Sequence, residues 1–459
     1  MIDENGSFRD PAGKIYYYDD RVLRKLTPLG IQRFSDLRES KIISKSIEKG
    51  FLINTKEVHN DKKSDDELFL EHEKIPYISY PYEWSFSQLK DAAIFHLDFH
   101  LFLLKNNATL IDASAYNIQF IGSKLKFIDI LSIQKYTEGE HWIGHKQFCQ
   151  NFLNPLILKS KKGIKFNNWF KGNLEGIETG ELNNLLSIFD KLSYNIFAHV
   201  HLLNKFDEKY KSKKTLNLTI KNKKKIPKRN LVAILHQLRK FILGIEDYKS
   251  ISTWDDYSTN NSYSIEEKNN KINCVAQFCK KNSFELIADL GCNDGEYSIL
   301  SLTNGAKKVI GFDFDINAIN QAYINAKNKN LNFLPLYFDA TNPSSNIGWY
   351  QKERKGFIER SNFNAIIALA FEHHLAIEKN IPLKDVINWL VSLAPTGLIE
   401  FVPKEDITVQ KMLELKGDIF PEYTEKKFEE HLLRVSQIVS KTVVSNSKRT
   451  IYEFKKKIN

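Results

Sequence analysis

The sequence predicts an α/β fold for its second half, a mostly parallel seven-stranded sheet ending in an antiparallel hairpin, with a separate α+β domain before it. Three observations carry this. Apolar runs of strand length alternate with helical patterns from about residue 262 onward, the last two runs are joined by a short polar turn, and 459 residues exceed one ordinary core.

The elements follow in chain order. Ser7–Asp10 reads as an extended run entering the turn Asp10-Pro11-Ala12-Gly13. Lys14–Tyr18 and Val22–Leu26 then flank a second turn at Asp19-Asp20. Helical periodicity marks Phe34–Lys49 and Ser85–Leu104, and a loop-and-strand region spans Thr109–Ile133. Helices are expected again over Trp142–Leu158, Leu182–Leu203 and Asn230–Leu243, the last closing a first domain of residues 1–250. The polar stretch Ser250–Ser262 reads as a linker to a second domain, 262–459. That domain opens with the capping box Ser264-Ile265-Glu266-Glu267, and Ile265, Ile272, Val275, Ala276 and Cys279 share one helical face. Strands are expected at Leu286–Leu290, Lys308–Asp313, Leu331–Asp339, Asn364–Ala370 and Gly397–Val402, and Ile438–Val444 with Thr450–Phe454 forms the hairpin.

Composition narrows the classes. Apolar residues make up 42% and charged residues 27% of the chain, a globular balance. The most apolar stretch, Ala92–Leu104, is interrupted by His96, Asp98 and His100 and is too short and polar to span a bilayer. With no basic-then-apolar leader pattern in MIDENGSFRD, a cytoplasmic location is expected. Cys149, Cys274, Cys279 and Cys292 form no Cys-x-x-Cys pair and no familiar zinc spacing, so buried reduced thiols and no metal are expected. The net charge is +10, and Lys211–Arg229 holds nine Lys or Arg and no acid. The run suits a nucleic-acid or membrane surface, but no aromatic residues interleave with it, which favours a solvated loop.

The chemistry concentrates after the first strand of the second domain. Asp289-Leu290-Gly291-Cys292-Asn293-Asp294-Gly295 joins an apolar strand to a helical run, and Gly291 and Gly295 permit a tight turn and close backbone approach to a ligand. Twenty-four residues after Asp289, Asp313 ends the second strand and is placed to accept both ribose hydroxyls of a nucleoside. Asp339 ends the third strand and is suited to receive an adenine amino group. All three acids lie at carboxyl ends of strands, the ligand edge of an open α/β sheet.

On these residues the stretch Leu286–Lys457 resembles the class I S-adenosylmethionine-dependent methyltransferases, which have a Rossmann-like sheet closed by a hairpin. The resemblance extends to the bacterial NoeA-like methyltransferase group through Asp289–Ser298, Ala368–Ile377, Ile399–Asp406 and Asp418–Thr424. In the first domain it is carried by Tyr80–Trp84, Asp112–Phe120 and Gln147–Pro155. It implies S-adenosylmethionine as cofactor, held by Asp289, Gly291, Asn293, Gly295, Asp313, Asp339 and Ala370. Asn293 stands where many members of the wider class carry Gly, and Asn tolerates unusual φ. After the fourth strand, Ala370-Phe371-Glu372-His373-His374 is the expected overhang at the methyl group. His373 or His374 is the candidate base, with Glu372 to orient one of them; packing or capping of the next helix is the alternative role. Glu400 either lines the acceptor pocket or pairs with Lys404.

In the first domain Asp112, Asn117 and Asp129 have the spacing of a kinase-like phosphotransfer centre, which would call for ATP and Mg²⁺. No His-Arg precedes Asp112, no Phe-Gly follows Asp129, no glycine-rich loop is evident, and the strand lysine is ambiguous between Lys25 and others. Two readings stay open: a turn capped by Asp and Asn, or a degenerate kinase-like module that recognises the acceptor. Tyr80–Trp84 and Glu140–Trp142 suit either core packing or a polar groove. The expected acceptor is a small molecule or glycan-like compound. The alternatives are a nucleic-acid methyltransferase using residues 211–229, a bifunctional kinase–methyltransferase, and a module that only binds the cofactor.

Overall fold

A computed structural model describes residues 2–58, 67–212, 225–248 and 265–457. The expected linker 250–262, Ser264 of the capping box and positions 213–224 of the basic run lie outside the described residues. The chain divides into two compact units: residues 1–120, 125–250 and 347–354 in one, and 121–124, 251–346 and 355–459 in the other.

The first unit opens with a five-stranded antiparallel sheet. Its strands are β1 (Ile2–Asp3), β2 (Gly13–Tyr18), β3 (Arg21–Leu26), β4 (Thr55–Val58) and β5 (Phe69–His72), in the order β1-β2-β3-β5-β4. The Asp19-Asp20 turn is as expected, but Ser7–Asp10 is not a strand. Asn5–Ser7 is a single 3₁₀ turn, and the hairpin is β2 with β3. The helix expected over Phe34–Lys49 is two helices, Pro28–Glu39 and Ile42–Glu48, because Lys41 adopts φ 55° and breaks the hydrogen-bond ladder.

Helix Phe86–Lys105 starts at a true capping box, in which Ser85 and Gln88 exchange bonds. It is buried along most of its length. His96 and His100, one turn apart, sit in its core face, and the His100 ring is 2.8 Å from the Thr109 hydroxyl. Among the described residues no helix is long and apolar enough to cross a membrane. Short strands β6 (Ala108–Leu110), β7 (Ile118–Ile121), β8 (Lys124–Phe127) and β9 (Ile133–Lys135) follow, with β6 paired to β9 and β7 to β8.

Two further expected helices are interrupted. The Trp142–Leu158 segment is a short turn of helix at His145–Phe148, a π-helical turn at Cys149–Leu153 and a helix at Asn154–Lys162. The Leu182–Leu203 segment breaks at Ser187, whose hydroxyl accepts from the Asp190 amide and starts a new turn, and again at Ser193.

The second unit carries the predicted sheet. Strands β10 (Ile287–Leu290), β11 (Val309–Asp313), β12 (Phe333–Tyr337), β13 (Ala365–Ala368) and β14 (Thr396–Phe401) are parallel. Strands β15 (Ser436–Val443) and β16 (Thr450–Lys456) form the antiparallel hairpin. The order is β12-β11-β10-β13-β14-β16-β15. The strand order reverses beside β10, and that switch point opens a crevice at the carboxyl ends of the strands. The inner strands are nearly continuous apolar runs because helices cover both faces.

Helix Ile265–Asn282 buries Val275 and Cys279 of the expected face together with Lys271 and Phe278, while Ile272 and Ala276 are half-buried and Ile265 is exposed. Lys271 on the buried face pairs with the buried Glu400 carboxylate at 2.8 Å.

Candidate functional site

The turn after β10 alternates left-handed residues: Gly291 (φ 76°), Asn293 (φ 48°) and Gly295 (φ 91°). Asn293 thus adopts the conformation its amide side chain tolerates. The Gly291 and Cys292 amides both donate to the Phe312 carbonyl, at 2.8 and 3.1 Å, and the Asn293 amide donates to Asp313 Oδ2 at 2.9 Å. The loop is therefore tied to the end of β11.

Gly295 begins helix Glu296–Thr303, and a Cβ there would lie 2.4 Å from Phe333 Cε1. Gly295→Ala is expected to lose about 1–2 kcal/mol to backbone strain alone, and more from the overlap. Urea unfolding checks this; a variant as stable as the parent would contradict the packing described.

The three acids occupy the expected edge in three different environments. Asp289 is buried on β10 and accepts from the Ser298 hydroxyl at 2.6 Å. Burial pushes its carboxyl up to about 7, against the Ser298 bond and with a contribution from Asp313. Asp313 ends β11 opposite Tyr337. Its Oδ1 accepts the Asp315 amide and its Oδ2 the Asn293 amide, each at 2.9 Å. Burial raises it to about 6 despite those two bonds and one from the Phe314 amide. Asp339, two residues past β12, accepts the Thr341 amide and hydroxyl at 2.9 and 2.6 Å.

Phe314, the residue after Asp313, is a large apolar residue that is 49% exposed beside a carboxylate. The sequence reading missed it because a single Phe after an acid has no periodicity to mark it.

The fourth strand leads into a second strained turn. Ala370 has φ 49°, which an L-residue holds only when its surroundings fix it. Its amide donates to Glu400 Oε2 at 2.8 Å. Glu400 does not line a pocket or pair with Lys404, as expected from sequence. It is fully buried on β14 with Lys271 Nζ at 2.8 and 2.9 Å and Arg449 at 3.8 Å, while Lys404 pairs with Asp418. Arg449 in turn is bidentate to Asp406, at 2.7 Å in both bonds.

Glu372 does not orient a histidine either. It accepts the Val402 amide at 3.0 Å and the Tyr423 hydroxyl at 2.8 Å, and burial pushes it up to about 8. His373 is buried, with its pKa pushed well below the usual range by burial and by His374. His374 is the more accessible ring. Its Nδ1 lies 3.1 Å from Glu378 Oε2, and burial holds its pKa low although Glu378 opposes this.

In the first unit the structure brings Asp112, Asn117 and Asp129 to one end of the β6–β9 region. Asp112 Oδ1 accepts the Ser114 amide at 2.8 Å, and the Ile128 amide donates to the Asn117 carbonyl at 2.9 Å. Burial raises the Asp112 carboxyl, and the Asp129 charge adds to this, while the Ser114 amide and the Asn117 side chain oppose it. Asp129 is also desolvated, yet Arg24 at 2.7 Å and the Ser132 hydroxyl outweigh that and hold it below the usual carboxylate range. The cation facing Asp129 from β3 is Arg24; Lys25 turns to Glu67 at 2.6 Å. Tyr80, Tyr82, Trp84 and Trp142 are all buried, which favours packing over a groove.

No family model matches the chain. The nodulation protein NoeA of Rhizobium meliloti (strain 1021) is 41% identical over 456 residues, covering 98% of this chain and 95% of that protein. Among solved structures, the magnesium protoporphyrin IX methyltransferase of Synechocystis PCC 6803 with bound SAH is 17% identical. It covers 48% of this chain and 95% of its own at a TM-score of 0.31. The N-methyltransferase NodS of Bradyrhizobium japonicum WM9 is 10% identical, covering 42% and 98% at a TM-score of 0.30.

Proposed function

This chain belongs to the family of the nodulation protein NoeA, and from that premise we propose that residues 262–459 form an S-adenosylmethionine-dependent methyltransferase domain acting on a small-molecule or glycan-like acceptor. The observation that carries the reading is the left-handed loop 291–295 tied to the Asp313 carboxylate, at the switch point of a sheet ordered β12-β11-β10-β13-β14-β16-β15.

The residues fit the cofactor. In this reading Asp313 accepts the ribose hydroxyls, Asp339 accepts the adenine amino group, and the half-exposed Phe314 ring stacks on the base. Gly291, Asn293 and Gly295 present backbone without bulky Cβ branches, and Asp289 and the Ala370 turn border the methionine end. Bound there, S-adenosylmethionine supplies an electrophilic sulfonium methyl. The chain's own contribution is to align the acceptor for in-line displacement and to take its proton. His374, neutral at physiological pH and steered by Glu378, is the assigned base, while the buried Glu372 and His373 support the turn.

Calorimetric titration with S-adenosylmethionine at pH 7.5 tests the reading. Saturable binding supports it, and a folded chain that binds none overturns it. The Asp313 carboxyl must be ionised to accept two hydroxyls. Because its value lies near 6, affinity is expected to fall about tenfold between pH 7.5 and 5, and that part of the slope should vanish in Asp313→Asn. Transfer of a labelled methyl group to RNA rather than to a carbohydrate or small molecule would overturn the acceptor class.

For residues 1–250 we propose a degenerate kinase-like module that recognises the acceptor. The succession β6, Asp112, Asn117, the β7–β8 hairpin and Asp129, behind a small antiparallel sheet, supports the kinase-like reading. Arg24 on Asp129 supports the degenerate one, because it neutralises the carboxylate that would hold a metal. Titration with Mg·ATP is expected to give no binding; saturable binding would favour active phosphotransfer instead.

A further inference from the structure

The short helix His145–Phe148 runs into the π-helical turn Cys149–Leu153, and a second π-helical turn spans Phe197–His201 in the same unit. Single π turns inside helices recur at functional sites, because the extra residue re-aims side chains at a cost in regular hydrogen bonding. Here three donor atoms meet, one from the start of the short helix and one from each π-helical turn. His145 Nε2 lies 3.1 Å from His199 Nδ1 and 3.7 Å from Cys149 Sγ, and all three atoms lie within 4.8 Å of one another.

The two separations from His145 Nε2 are close to the edges of a zinc tetrahedron. Zn–N bonds of about 2.0–2.1 Å and a Zn–S bond of about 2.3 Å put two nitrogens about 3.3 Å apart and nitrogen about 3.6 Å from sulfur. The donor set is two imidazoles and one thiol with no carboxylate, which suits a borderline or soft transition metal and not Mg²⁺ or Ca²⁺. Cys149 is fully buried and His199 nearly so. Burial keeps both imidazoles neutral, with values near 4, and pushes the thiol up to about 12. Neutral imidazoles are ready ligands. The thiol would give up its proton to solvent as a metal–sulfur bond forms.

We propose that His145, Cys149 and His199 form a zinc site with two nitrogen ligands and one thiolate, its fourth position filled by water or a small ligand. The sequence hides the site, since His145 and Cys149 are four residues apart on one helical face but His199 is fifty residues further on. The alternative is a hydrogen-bonded chain of two neutral imidazoles and a thiol, and the two have different consequences.

The full chain would be loaded with Zn²⁺, dialysed and its metal content measured, then loaded with Co²⁺ for absorption spectroscopy. One zinc per chain is expected, lost in Cys149→Ser and His199→Gln and kept in Cys274→Ser. The cobalt form should show thiolate charge transfer that disappears in Cys149→Ser. A folded parent chain that retains no stoichiometric zinc overturns the proposal, as does a Cys149→Ser chain that retains one. If either variant fails to fold, X-ray absorption of the zinc-loaded parent decides. A shell with one sulfur supports the site, and a shell of oxygen and nitrogen alone overturns it.

Discussion

Asp313→Ala is expected to weaken S-adenosylmethionine binding by about 100- to 1000-fold. Two hydrogen bonds from ribose hydroxyls to a carboxylate are lost at about 1.5–3 kcal/mol each, with incomplete additivity. The same substitution removes the acceptor of the Asn293 amide, one of the three bonds that tie the left-handed turn to β11. Asp313→Asn should fall between the parent and the alanine variant, because one amide oxygen still accepts. Calorimetry beside a circular-dichroism spectrum separates lost binding from lost fold. An alanine variant within about threefold of the parent would remove Asp313 from the cofactor site.

Lys271→Met is expected to destabilise the chain by about 3 kcal/mol, the lower end for breaking a buried ion pair, because Arg449 stays 3.8 Å from the remaining carboxylate. Glu400 cannot be rehydrated by a side-chain rotation, since it is fully buried and also holds the Ala370 amide. The double variant Lys271→Met with Glu400→Gln should recover part of the loss, since no unpaired charge then remains inside. Urea midpoints of the parent, the two single variants and the double variant give the coupling. A Lys271→Met chain within about 0.5 kcal/mol of the parent would show that the pair contributes little to stability. Glu400 also accepts the amide of the left-handed Ala370, at the head of the turn that carries His373 and His374.

Much of the second unit is legible in the sequence. Its strands fall within a few residues of the predicted runs, because a strand buried on both faces must be a nearly unbroken apolar stretch, and the ends of β10, β11 and β12 are marked by glycine or an acid. The first unit is harder to read. Lys41 splits one helix by its φ, and serine caps and two π-helical turns divide two others, none of which disturbs the apolar periodicity. Asp112, Asn117 and Asp129 stand out by their spacing, but the Arg24 that answers Asp129 does not, since Arg24 and Lys25 are equivalent until the strand's two faces are assigned.

The sequence by itself determined the α/β alternation, the closing hairpin, the glycine turn after β10 and the acids at the strand ends. Each depends on neighbours a few residues away, where backbone conformation and burial pattern are written locally. Only the tertiary structure decided the partners of the buried ionisable groups: Lys271 with Glu400, Tyr423 with Glu372, Glu378 instead of Glu372 at His374, and His199 beside His145 and Cys149. A desolvated polar group must find a complementary group wherever the packed chain supplies one. Apart from Glu378, which is four residues from His374, those groups come from positions tens of residues away that no local pattern connects.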